Sequence, residues 1–379
     1  MEDDIIRVCQ PTIDKQTREE LMEVFDKGWL GYGAKTKEFE KKFAEYVGAK
    51  YAVGCSSGTA ALDLCLRVYN DEYNLKGGEL ITTPMTFVSD AIVAFWAGMD
   101  LTFADIDEET LCLDPEAIVI TNKTKAIIAV DSHGRLADIK KIKRKIDDFN
   151  TIEGGFVNNK ILLIEDAAHA MYTPGAGEDA DITIWSFQAV KTLPIGDGGM
   201  ITTNNERIAN EIRRISWLNV EKSTYDRAIG RKYTWDYDIT RANGVKAYMN
   251  DVQATIGLGQ LRRLSETNAK RRAIQSVYNE AFRNIPQIKI PAYSHTVQYY
   301  TIQCEDRDKL SEYLAEKKIA TSVHFKPLTE MTYYKQFIKR PLPVTDRVWK
   351  KLLSLPCHDA LTWSQVEYII KQVKDFYSI

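Results

Sequence analysis

The chain predicts an α/β architecture, a mostly parallel sheet covered by helices, with a smaller α+β unit behind it. Three observations predict it. Short apolar runs alternate with helix-period stretches from Tyr51 to Ser216, the pattern of strands joined by crossover helices. Several runs, such as 161–164 and 182–185, are apolar throughout or nearly so (Thr183 is the one hydroxyl) rather than alternating with charged residues, as in strands buried on both faces. One long helical stretch, 250–284, then separates this region from a shorter mixed one.

The chain has 379 residues, more than one core ordinarily holds, so two domains are expected. Residues 1–243 read as a large ligand-binding domain with an N-terminal helical segment. Residues 244–379 read as a linking helix and a small C-terminal domain. The composition, 44% hydrophobic and 27% charged, is that of a globular protein, and a net charge of −3 offers no attraction to nucleic acid or an anionic membrane. The six cysteines (Cys9, Cys55, Cys65, Cys112, Cys304, Cys357) form no C-x-x-C pair and read as thiols in a reducing compartment. The five histidines lack metal-ligand spacing, so no metal is expected. The opening Met1-Glu2-Asp3-Asp4 does not read as a signal peptide. No apolar run has membrane-spanning length; 91–98 is among the longest. A cytoplasmic protein is expected.

Residues 16–27 predict an amphipathic helix with Leu21, Val24 and Phe25 on one face, ending at Gly28. The stretch 29–36, W-L-G-Y-G-A-K-T, fails as a P-loop because Ala34 precedes the lysine. It also fails as a dinucleotide fingerprint, lacking a preceding strand and a third glycine. An ordered loop with aromatics or a plain turn both remain open there. Thr36 is expected to cap a helix whose apolar positions are Phe39, Phe43, Tyr46 and Val47, ending at Gly48. A strand at 51–54, a small-residue turn and a helix at 60–69 follow. Next come a strand at 79–83, a helix at 88–98, a strand at 101–104 and a short helix at 114–120. Then come a strand at 126–130, a basic helix at 139–149, the strands 161–164, 182–185 and 199–203, and a helix at 206–216. Residues 217–243, with Tyr225, Tyr233, Trp235 and Tyr237, lack periodicity and read as a long loop, usually functional in a compact domain. Beyond the long helix, 297–304 reads as a strand, and 309–318 and 363–377 as helices.

The chemistry collects at strand ends. Asp166 follows the run 161–164, and Lys191 follows 182–185 shortly before the turn Gly196-Asp197-Gly198-Gly199. A lone lysine after a strand is ordinarily solvated, and a lone aspartate there ordinarily caps a helix. Together they suggest a site for an aldehyde cofactor. Lys191 would form a Schiff base with pyridoxal phosphate, and Asp166 would pair with its pyridine nitrogen. The turn Cys55-Ser56-Ser57-Gly58-Thr59 before a helix aims backbone N–H groups at one place, which suits a phosphate; an ordinary Ser cap is the plain alternative. Phe87, at a strand-to-helix turn, could stack on a planar ring or belong to the core. In sheets of this kind ligands gather at the carboxyl ends of strands, and every candidate from Ser57 to Lys191 lies at one.

The motifs S-S-G-T-A-A-L (56–62), P-M-T-F-V (84–88), E-D-A-A-H-A (165–170), S-F-Q-A-V-K (186–191), G-D-G-G-M (196–200) and M-N-D-V-Q-A-T-I-G-L-G-Q-L-R-R-L (249–264) occur in this order. V-H-F-K-P-L (323–328) and L-S-L-P-C-H (353–358) accompany them. Together they resemble the DegT/DnrJ/EryC1/StrS family of sugar aminotransferases, pyridoxal phosphate enzymes of fold type I, over nearly the whole chain. The resemblance implies that Lys191 holds the cofactor and moves protons, with Asp166 beside the pyridine nitrogen. It implies Phe87 stacked on the ring, His169 near the ring hydroxyl, and Ser57, Gly58, Thr59 and Ser186 on the phosphate. It implies a homodimer with shared sites, in which Lys246 contacts the phosphate across the interface. Trp29, Tyr32, Gln188 and His324 are expected to contact the sugar nucleotide.

The chain departs from the family pattern in places. Val245 stands where an aromatic is common, Lys246 where Asn is common, and Gln188 where His is frequent. The turn Asp131-Ser132-His133-Gly134 replaces a His-aromatic-Gly form. Relatives with His at the Lys191 position dehydrate; this chain keeps Lys, which implies transamination. Glutamate would convert the cofactor to pyridoxamine phosphate, which would aminate a keto sugar on a nucleoside diphosphate. A 4-keto-6-deoxy sugar is favoured, because relatives acting at C3 more often carry Gln where His169 stands. The rivals are a 3-keto-sugar or keto-inositol aminotransferase, and a non-catalytic regulatory dimer, against which Lys191 and Asp166 argue. A nicotinamide-dependent dehydrogenase lacks its glycine fingerprint.

Overall fold

A computed structural model describes residues 5–152, 160–221, 223–229, 237–239 and 241–378. The chain opens with helices α1 (Lys15–Lys27) and α2 (Ala34–Val47). Strand β1 (Tyr51–Cys55), helix α3 (Gly58–Tyr73), strand β2 (Glu79–Thr82), helix α4 (Ser89–Trp96) and strand β3 (Asp100–Phe103) follow. Next come β4 (Thr124–Val130), α5 (Ile139–Ile152), β5 (Leu162–Asp166), β6 (Ile182–Ser186), β7 (Gly199–Thr203), α6 (Glu206–Ile215) and α7 (Thr224–Ile229). The long α8 (Asp251–Phe282) leads to β8 (Ile288–Lys289), β9 (Tyr300–Cys304), α9 (Arg307–Glu316), α10 (Pro343–Val348), β10 (Leu352–Leu355) and α11 (Trp363–Phe376).

The first seven strands form one sheet in the order β1-β7-β6-β5-β4-β2-β3. Pairings from β3 through β2, β4 and β5 to β6 are parallel, and β7 runs antiparallel to both its neighbours. Every residue of β5, β6 and β7 is buried, which explains why their apolar stretches do not alternate with solvated charged residues. Leu64, Ile164 and Ile212 pack together on one face; Phe43, Trp185 and Met200 pack on the other. The antiparallel sheet β10-β9-β8 carries its own core, in which Ile302 and Leu353 meet Tyr278 and Phe282 of α8. The same helix contributes Ala254 and Leu258 to the larger core.

Several expectations are corrected. Of the predicted face of α1, Val24 is buried and Leu21 half-buried, but Phe25 is exposed, and Thr17 turns inward beside them. Thr17, Leu21 and Val24 lie at i, i+4 and i+7 on one stripe, and Phe25, one residue and about 100° past Val24, falls outside it. At Thr17 the packing on α8 is close, since a Cβ on Gly259 would stand 1.9 Å from Thr17 Oγ1. Tyr46 is likewise exposed, while Phe39 and Phe43 are fully buried. Gly33 caps α2, and Thr36 lies inside the first turn. Residues 114–120 shrink to a single 3-10 turn, Pro115–Ala117. The stretch 217–243 contains α7; Tyr233 and Trp235 lie outside the described residues, as do Met1, Glu2, Asp3 and Asp4. Arg271 of α8 is buried and donates to the carbonyls of Val297 and Cys357.

Asp251 ties α8 to the start of α2. Its carboxylate accepts from Thr36 N at 2.9 Å, Thr36 Oγ1 at 2.8 Å and Lys35 N at 3.2 Å, satisfying N–H groups the helix cannot satisfy itself. Asp251→Ala is expected to cost about 3 kcal/mol, because buried donors lose a charged acceptor. Thermal unfolding of the variant checks this; an unchanged midpoint would mean the carboxylate is dispensable.

All six cysteines are free thiols, five buried and Cys9 half-buried. Among the described residues no helix is long and apolar enough to cross a membrane, and no His/Cys/Asp/Glu group could hold a metal ion.

Candidate active site

The carboxyl ends of β1, β2, β4, β5 and β6 open into one cavity of about 460 Å³. Ten predicted site residues line it: Ser57, Gly58, Thr59, Phe87, Asp166, His169, Ser186, Gln188, Lys191 and His324.

Lys191 is held by a folded-back loop. Beyond β6, Phe187 N–H donates to Gly198 O and Ala189 N–H to Gly196 O, both at 2.9 Å, so the chain continues as a narrow hairpin. Lys191 N–H closes a turn on Gln188 O at 2.8 Å, and the Gln188 side chain accepts from Val190 N at 2.9 Å. Gln298, fully buried, grips both sides: its amide donates to Val190 O at 2.8 Å and accepts from Thr192 N at 3.1 Å. Burial lowers the Lys191 amine to about 8, against the pull of Asp166 and Asp90. A neutral, nucleophilic amine is thus accessible near physiological pH.

Asp166 ends β5 and is buried, with Oδ1 accepting from Ala168 N at 2.9 Å. Burial raises its carboxyl above the ordinary range; bonds from the Asp90 side chain and Ala168 N–H oppose this. The imidazoles of His133, His169 and His324 are all held neutral by burial, His324 at about 3. His324 Nδ1 sits 2.8 Å from Ser354 Oγ, and its ring stacks on Tyr299 at 3.6 Å. Phe87 is 60% exposed, an aromatic face turned to the cavity.

The Ser57–Thr59 turn opens α3. Ser57 Oγ accepts from Ala60 N at 3.1 Å and Ser57 O from Ala61 N at 3.0 Å. The Gly58 and Thr59 N–H groups have no acceptor among the described residues. So the serine does cap the helix, and two N–H groups remain for a ligand. Gly58 packs tightly on Ser186: a Cβ there would lie 3.0 Å from Ser186 Cβ. The close approach brings the Ser186 hydroxyl beside the turn.

Three predicted residues lie elsewhere. Trp29 and Tyr32 line a separate cavity of about 780 Å³, beside Arg213 and Trp217. Trp29 Nε1 donates to Tyr32 O at 3.0 Å. Lys246 is exposed, its Nζ 5.5 Å from the Trp217 ring. Within one chain none of the three reaches the Lys191 cavity. Conversely, Thr86, Tyr299 and Phe325 line that cavity and were not singled out. Phe325 was legible only as the neighbour of His324 in the chain, and Tyr299, 25 residues away, meets that histidine only through the fold. Gln298 and Asp90 carried no signal: an isolated Gln and an Asp in a helix first turn are ordinary.

A poised amine, a buried carboxylate, an open aromatic face and two free N–H groups fit pyridoxal phosphate, which is flat, bears an aldehyde and carries a phosphate at one end. Comparison with known proteins agrees. The DegT/DnrJ/EryC1/StrS aminotransferase family model matches residues 11–374. The spore coat polysaccharide biosynthesis protein SpsC of Bacillus subtilis is 35% identical, over 96% of this chain and 95% of its own. A putative sugar aminotransferase of Streptococcus pneumoniae, Spr1654 in its PMP form, superposes with a TM-score of 0.87 at 28% identity, over 98% of each chain. DesI, solved with its TDP-sugar product, gives 0.84 at 25% identity, over 98% of this chain and 93% of its own. The chain belongs to the DegT/DnrJ/EryC1/StrS aminotransferase family, and it is a pyridoxal-phosphate-dependent enzyme of the sugar-aminotransferase kind.

Proposed function

We propose that this enzyme moves an amino group from glutamate to a keto sugar carried on a nucleoside diphosphate. The favoured acceptor is a 4-keto-6-deoxy sugar, giving a 4-amino-4,6-dideoxy product. The observation that carries the reading is Lys191 and Asp166 in one cavity, beside the open face of Phe87 and the free N–H groups of Gly58 and Thr59. Likeness to DesI, whose structure holds a TDP-sugar product, supports a nucleotide-linked substrate.

When bound, pyridoxal phosphate supplies an electron sink and carries the amino group between donor and acceptor. Lys191 anchors it and passes a proton to and from the substrate carbon as general base and acid. Asp166 is the anion for the ring nitrogen, Phe87 the stacking face, and neutral His169 a partner for the ring hydroxyl. Ser57, Gly58, Thr59 and Ser186 hold the phosphate. Gln188 and His324, on the cavity wall, meet the sugar. The enzyme is a cytoplasmic homodimer, and Trp29, Tyr32 and Lys246 serve the partner's site, since they stand outside the cavity of their own chain.

Purified protein, pyridoxal phosphate and glutamate are incubated with a 4-keto-6-deoxy nucleotide sugar, a 3-keto nucleotide sugar and a keto-inositol, and products are weighed by mass spectrometry. The 4-keto sugar alone should gain an amine. Amination of the 3-keto sugar or the keto-inositol instead moves the assignment to those acceptors, and amination of none refutes the reading.

A further inference from the structure

Asp90 is fully buried in the first turn of α4, and no step outlined above uses it. An aspartate there ordinarily serves backbone N–H groups at the helix start. This one does not. Its Oδ2 accepts from the Thr86 hydroxyl at 2.5 Å. Its Oδ1 has no hydrogen-bond partner among the described residues, counting the usual donors. The side chain instead meets the carboxyl of Asp166, and the charged groups facing it are Asp166 on β5 and Lys191 beyond β6. Asp166 has Oδ1 engaged by Ala168 N–H.

Two carboxyls in contact and out of water cannot both be ionised. The pair must hold one proton. The Ala168 N–H on Asp166 Oδ1 favours the ionised form of Asp166, while Asp90 Oδ1, with no donor of its own, is the better seat for the proton. The effect of burial agrees: Asp90 is pushed well above the ordinary carboxyl range by desolvation and then by Asp166.

We propose that Asp90 is a protonated positioning residue, whose Oδ1–H donates to Asp166, fixes its orientation and keeps it ionised. The pair then carries one negative charge, the complement of one protonated ring nitrogen. A bare buried carboxylate would be drawn toward its neutral form, and two ionised ones would repel. The role rests on the reading that the cofactor occupies this cavity.

The test has two arms. Cofactor-free protein at neutral pH is examined by infrared difference spectroscopy, wild type minus Asp90→Asn. The expected result is a protonated-carboxyl band present in wild type and lost in the variant. In the second arm, pyridoxal phosphate is titrated into wild type, Asp90→Asn and Asp90→Leu. Asp90→Asn keeps an N–H donor and should bind within about threefold of wild type. Asp90→Leu fills the space without donating and should weaken binding about tenfold or more, with a shifted visible absorption band. Asp90→Ser, smaller and able to donate, replaces Asp90→Asn if that fails to fold, and Asp90→Ala, which cannot donate, replaces Asp90→Leu; the serine should lose the infrared band yet bind more tightly than the non-donor. No carboxyl band in wild type, or equal binding by Asp90→Leu, overturns the proposal. If wild type takes up no cofactor, the functional reading falls, and the infrared arm still decides the shared proton.

Discussion

Lys191→Ala is expected to lower amino-group transfer by about 10⁴-fold or more, the largest effect of any single substitution in this chain. Two roles vanish together: the covalent anchor and the proton carrier. The fold should survive, because the backbone around residue 191 is held by Gln298, Gly196 and Gly198 rather than by the lysine side chain. Thermal unfolding and single-turnover kinetics measure the two separately. The pH dependence follows from the same group. With its amine lowered to about 8, about one lysine in ten is neutral at pH 7. Capture of pyridoxal phosphate by cofactor-free protein should therefore accelerate as pH rises through 8 and level off above it. In Lys191→Ala that rise should be missing. A wild-type profile that keeps climbing to pH 10 would show a lysine left at its ordinary value.

Asp166→Ala is expected to lower turnover by about 10²- to 10³-fold, the range seen when a fixed partner for developing charge is removed. Asp166→Asn separates shape from charge. It keeps the size and the bond from Ala168 N–H but cannot carry the negative charge that holds a ring nitrogen protonated. If charge is what matters, both variants fall together, and the absorption spectrum of bound cofactor shifts in both. Near-normal turnover in Asp166→Asn would mean that the residue acts by packing alone. The alanine change also strips Asp90 of its partner, so Asp166→Ala should disturb stability more than Asp166→Asn does.

Most of the cavity could be foreseen because its parts are local. Phe87, Asp166 and Lys191 each follow an apolar run by a few residues, and a parallel sheet delivers all its strand ends to one edge. Gly58 and Ser186 were foreseen separately, yet their contact depends on β1 and β6 both pairing with β7. Phe25 was misplaced because periodicity marks a face and says nothing of what lies opposite. Thr17, Leu21 and Val24 form the inward stripe of α1, and Phe25 falls about 100° past Val24. Trp29, Tyr32 and Lys246 were assigned by position in a pattern, and one chain does not bring them to Lys191.

By itself the sequence determined the strands of the larger sheet, most helices, and which strand ends carry the carboxylate and the amine, but not α7, β8, α10 or β10. Those are properties of short windows, where apolar spacing and turn residues act within a few positions. The tertiary structure decided which distant residues meet. Asp90 follows β2 and Asp166 ends β5, and they touch because only β4 separates those strands in the sheet. Gln298 precedes β9, a strand of the other sheet, and it grips Val190 and Thr192 on either side of Lys191 because the two cores pack along α8. Strand order and sheet docking are chosen by burying whole faces at once, and that choice leaves no trace in any single window.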